Sequence, residues 1–86
     1  MEKFPELQDG QVALLRAEFN TGIVLDEAFA KVTDVQQKIY SIIDSKDKAL
    51  HLAKLIVLER KNVECVISGQ DEEMIYYITP QNVSSF

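Results

Sequence analysis

Few side chains in this chain of 86 residues could do chemistry. It has one cysteine, Cys65, and one histidine, His51. A structural zinc site draws all its ligands from such residues, so a single copy cannot build one. A nucleophilic Cys–His pair needs an exposed thiol of lowered pKa beside its base. Cys65 instead alternates with Val63 and Ile67, which points it into a core, where a free thiol behaves as a small apolar group. Ser41, Ser45 and Ser68 lie in no G-x-S-x-G motif. Gly10, Gly22 and Gly69 are too scattered to form a phosphate loop. Carboxylates cluster only at Asp26-Glu27 and Asp71-Glu72-Glu73. Capping and solubility account for both clusters, and the second lacks the pattern of an EF-hand loop. These residues predict no catalytic group, no metal and no cofactor, and the chain reads as non-enzymatic. A small-molecule or enzymatic cleft around His51 and Cys65 is the last of the alternatives.

The elements that would position these groups are clearest after residue 37. Lys38 to Ile43 is rich in β-branched and aromatic residues and reads as a strand. Asp44 or Ser45 can cap a following helix, which runs from Lys46 to Lys61 without Gly or Pro. Ala49, Leu52, Ala53, Ile56 and Val57, with Leu50 at the margin, form its apolar stripe. Val63 to Ser68 alternates as a second strand, and Met74 to Thr79 is a third, limited by Pro80. The connection through Gly69 and three acids makes the last two strands a hairpin. A helix between the first two favours a parallel crossover. The expectation is therefore a β-α-β-β unit with a small mixed sheet and the helix packed on one face.

The N-terminal half predicts helices. Val12, Leu15, Arg16 and Phe19 recur at helical spacing after Asp9, and Gly22 suits a left-handed cap. Asp26 would cap a second helix through Phe29, Val32 and Val35 or Gln36. The β-branched pairs Ile23-Val24 and Val32-Thr33 offer short strands as the alternative. The fold class expected is α+β, one domain over residues 1–86, with a helical N-terminal segment and a frayed tail from about residue 81.

Charge and surface then point to a function class. Net charge is −5, the wrong sign for the basic patch of a nucleic-acid binder. Residues 62–86 hold four acids and no base, whereas residues 35–61 carry a net +3. No apolar run approaches a membrane span, and no signal peptide is visible at Met1 to Pro5. With a single cysteine, a reducing cytoplasmic setting is the default. Leu55 and Leu58 align with His51 on the side of the helix opposite its apolar stripe, a candidate contact patch. Tyr76 and Tyr77 are adjacent in a strand beside Asp71, Glu72 and Glu73, an acidic and aromatic surface suited to a cationic partner.

The run Ile75-Tyr76-Tyr77 resembles the paired tyrosines of colicin-type immunity proteins, which bind basic nucleases. Those proteins are helical, so the likeness concerns function and not fold. The reading that results is a small acidic protein-binding module of the inhibitor or adaptor kind, with a basic protein as partner. Its alternative is a homo-oligomer whose Leu55 and Leu58 meet their symmetry mates.

Overall fold

The strand at the centre of the fold is one that the sequence disguises as a helix. In the computed structural model, which describes residues 1–86, the chain runs β1 (Val12–Glu18), β2 (Val24–Leu25), β3 (Tyr40–Ile43), α1 (Lys46–Glu59), β4 (Val63–Ser68) and β5 (Met74–Ile78). β1 pairs with β4 along one side. Along its other side it pairs with β3 opposite Val12 to Leu15, then with β2 opposite Arg16 and Ala17. β5 closes the far edge against β4. Every pairing is antiparallel.

Two expectations are corrected by this arrangement. There is no N-terminal helical segment, and the sheet has five antiparallel strands rather than three in a mixed sheet. The strands on either side of α1 do run parallel to each other, but β1 lies between them and is antiparallel to both. The reason is burial. Val12, Ala13, Leu14, Arg16 and Ala17 are all buried, the small alanines of the second face included, so the alternation that marks a half-wet strand is absent.

Register divides the side chains cleanly. Val12, Leu14 and Arg16 share the α1 side with Leu25, Ser41, Ile43, Cys65, Ile67, Tyr76 and Ile78. Ala49 and Ala53 are fully buried against that side and let α1 approach closely, while Ile56 and Val57 fill the space around them. Each large aliphatic side chain taken from water there contributes about 1.5–3 kcal/mol. Ser45 caps the helix, its hydroxyl accepting the Lys48 N–H at 3.2 Å.

The second predicted helix is a loop. Asp26 does cap, but it closes a turn. Its Oδ1 accepts the N–H groups of Ala28 and Ala30 at 2.8 and 2.9 Å, and its Oδ2 accepts Gln37 Nε2 at 2.8 Å. Phe29 sits inside this turn with φ 64°, a left-handed conformation that ends any helix and costs a bulky residue about 1–3 kcal/mol. Gly22 is left-handed as expected, φ 73°, yet it closes the β1–β2 turn instead of a helix. Residues 81–86, expected to fray, form a short 3-10 turn at Val83–Ser85. Val83 joins the core there, and Phe86 meets Tyr76 edge to face at 5.9 Å.

Candidate functional site

One helix can cover only one face of a sheet. The other face carries Ala13, Leu15, Ala17, Tyr40, Ile42, Glu64, Val66 and Tyr77, and no helix or second sheet lies over it. The N-terminal segment crosses one end. Phe4 packs edge to face on Tyr40 at 5.3 Å. The Glu2 carboxylate accepts the N–H groups of Ile39 and Tyr40 at 2.8 and 3.1 Å, and Gln70 Nε2 donates to the Leu7 carbonyl at 3.1 Å. Beyond that cover the face is open, with Ile42 50% and Tyr77 41% exposed.

Acids border this face. The Tyr77 hydroxyl donates to Glu64 Oε1 at 2.5 Å, a bond that raises the phenol pKa by making the proton harder to lose. Burial raises the Tyr40 pKa, and the charges of Glu72 and Glu2 push the same way. Between the N-terminal segment and the β4–β5 turn lies a hollow of about 580 Å³, lined by Phe4, Glu6, Leu7, Gln70, Asp71 and Glu72 together with Pro5. Asp71 and Glu72 both have positive φ, 62° and 61°, so their side chains leave a tight, irregular turn.

The residues singled out in the sequence fall on separate surfaces. His51, Leu55 and Leu58 share the outer ridge of α1, where the leucines are 46% and 57% exposed. Leu52, assigned to the buried stripe, is 39% exposed on the flank of that ridge. Asp71, Glu72 and Glu73 are exposed at the β4–β5 turn. Tyr77 lies on the open face, whereas Tyr76 faces α1 and is half-buried against Phe86. His51 and Cys65 make no pair: the histidine is exposed on the outside of α1, and the thiol is fully buried beneath it. Burial pushes the Cys65 pKa up to about 12, although Arg16 nearby acts in the opposite direction. No group of three or more His, Cys, Asp or Glu side chains is placed to hold a metal ion.

A second charged site went unread in the sequence. Arg16, 4% exposed, projects from the middle of β1 toward the flank of α1. Its Nη1 donates to the Ile39 carbonyl at 3.3 Å and its Nη2 to the Ser41 hydroxyl, which donates in turn to Glu27 Oε2 at 2.7 Å. Burial lowers the Arg16 pKa, while the charges of Glu27 and Asp26 oppose the shift. The Phe29 ring lies close by, 5.8 Å from the Arg16 guanidinium carbon and 3.8 Å beneath that of Arg60. The available signal was a lone arginine inside Val12 to Ala17, an otherwise apolar run.

No protein family, curated protein or solved structure matches this chain. No helix is long and apolar enough to cross a membrane. The fold is one helix packed on one face of a five-stranded antiparallel sheet.

Proposed function

We propose that this protein is a non-enzymatic binding module that docks a basic protein on its open sheet face. The observation that carries the proposal is the acidic hollow at one end of that face. Glu6, Asp71 and Glu72 line a space of about 580 Å³ together with the apolar walls of Phe4 and Leu7. A lysine or arginine side chain matches such a site, its charge meeting the carboxylates and its stem the apolar walls. The half-exposed Tyr77 and Ile42 then supply the desolvated contact that gives an interface its affinity. Charge at the rim governs mainly the rate of encounter, so binding should weaken as salt rises. The reading keeps the inhibitor or adaptor role expected from the sequence and places the work in a cytoplasmic setting, where a free thiol persists.

The test is capture from a native lysate by tagged wild type, by the triple variant Asp71→Lys/Glu72→Lys/Glu73→Lys, and by Leu55→Glu/Leu58→Glu. A basic protein retained by wild type and the leucine variant, and lost from the acid-reversed variant, supports the proposal. An acidic partner, or capture indifferent to charge reversal, refutes it.

The exposed ridge of Leu55 and Leu58 favours a second reading, self-association through α1. Light scattering that reports a monomer at high concentration disposes of that reading.

A further inference from the structure

Arg16 is a charge held where the core should be apolar. Taking a guanidinium out of water is costly unless an anion meets it, yet both of its hydrogen-bond acceptors are neutral oxygens. Glu27 is reached only through the Ser41 hydroxyl. Arg16 opens on a cleft of about 280 Å³ at the flank of α1. Phe29, Leu52 and Ile56 form its apolar walls, and Arg60, Glu27 and Glu59 supply the remaining charges. Both guanidinium carbons lie within 5.8 Å of one ring centroid, so they are no more than about 10 Å apart.

We propose that this cleft is a binding site for a small monocarboxylate bearing an apolar tail. The carboxylate takes N–H groups of Arg16 beyond the two already given to Ile39 and Ser41, with Arg60 as the second cation offering the paired N–H geometry of a guanidinium. The tail lies on Leu52, Ile56 and the Phe29 ring. Charge selects a monoanion, because Glu27 and Glu59 on the same cleft repel a second negative charge. The apolar walls select against bare phosphate, which would lose hydration and gain no contact. Size selects a ligand of few heavy atoms, since the volume falls just below the range of about 300–1,000 Å³ usual for small-molecule sites. The cleft lies on the α1 side of the sheet and the acidic hollow involves the other face, so this reading and the basic-partner reading fail independently.

The experiment is a titration of the full chain followed by amide ¹H–¹⁵N chemical shifts. The probes are 4-methylpentanoate, its uncharged amide and inorganic phosphate. The carboxylate should give saturable shifts at Arg16, Phe29, Leu52, Ile56 and Arg60 with a dissociation constant of about 1 mM. The amide and phosphate should bind at least about tenfold more weakly. Arg60→Gln removes an exposed charge and should weaken binding by about tenfold. Leu52→Glu adds a carboxylate to the rim and should abolish it; either variant is read only after its spectrum shows the native dispersion. Shifts that do not saturate, equal binding of the amide, or full binding by both variants would each overturn the assignment.

Discussion

Cys65 should be nearly inert in the folded protein and ordinary in the unfolded one. An unperturbed thiol of pKa 9.0 is about one-tenth ionised at pH 8, whereas one pushed up to about 12 is ionised about once in ten thousand molecules. Since the thiolate is the nucleophile, ionisation alone slows alkylation about a thousandfold, equivalent to about 4 kcal/mol. Cys65 also has no exposed surface, so whatever labelling occurs passes through a lifting of α1 from the sheet. The assay is iodoacetamide labelling at pH 8, read by intact mass, in buffer and in concentrated urea. The folded protein should label at least about a thousandfold more slowly than the unfolded one. Labelling within tenfold of the unfolded rate, with the circular dichroism of the folded state intact, would refute the reasoning. It would mean that β4 sits one residue out of register, with Cys65 turned to the open face and Glu64 beneath the helix.

Ala53 is fully buried beneath α1, so Ala53→Leu should overpack the interface and cost about 1–3 kcal/mol in urea unfolding; an unchanged midpoint would mean that the helix stands off the sheet. Asp26 gives a pH signature. Its hydrogen bond from Gln37, with the N–H groups of Ala30 and Ala28 and the charge of Arg16, holds its pKa below the ordinary 3.8. A depressed native pKa stabilises the fold above the ordinary value, and that stability is lost as pH falls through the native one. Wild type should therefore be more stable than Asp26→Asn at pH 7, with the gap closing as the carboxylate protonates below pH 3.8. A gap that stays constant across that range would mean that the turn at residues 26–30 does not depend on the charge.

What the sequence showed and what it hid divide at residue 38, for a physical reason. After it, each element borders a single core. α1 buries one stripe, and Val63, Cys65 and Ile67 alternate with partly exposed residues along β4. Periodicity reports such one-sided burial directly. Before it, β1 has neighbours on both edges and buried residues on both faces, so its composition follows packing instead of exposure. Ala13 and Ala17 are good helix formers, but here they are the small side chains of a central strand. The sequence could not show that three strands compete for the edges of β1, because strand pairing is a long-range property. The loop at residues 26–37 misleads for a related reason. An aspartate that satisfies two backbone N–H groups begins a helix or a turn equally well, and here it closes a turn, with Phe29 left-handed and its ring beneath Arg60.

The same distinction governs the two candidate sites. The acidic hollow was half legible. Asp71 and Glu72 stood out as a cluster, but Phe4, Glu6 and Leu7 reach them from the far end of the chain, and no pattern in either segment announces the meeting. Arg16 was visible only as an interruption. On a helix it would share a face with Val12, Leu15 and Phe19, and its long side chain could carry the charge past them to water. In β1 the residue on either side along the same face is Leu14, buried, and Glu18, so the guanidinium must find its acceptors sideways, across β3. That constraint makes Arg16 a buried cation beside an open cleft. The misread strand and the missed site are one error: read on a helix, Arg16 was one more residue at helical spacing with Val12, Leu15 and Phe19, and nothing marked it as a buried cation.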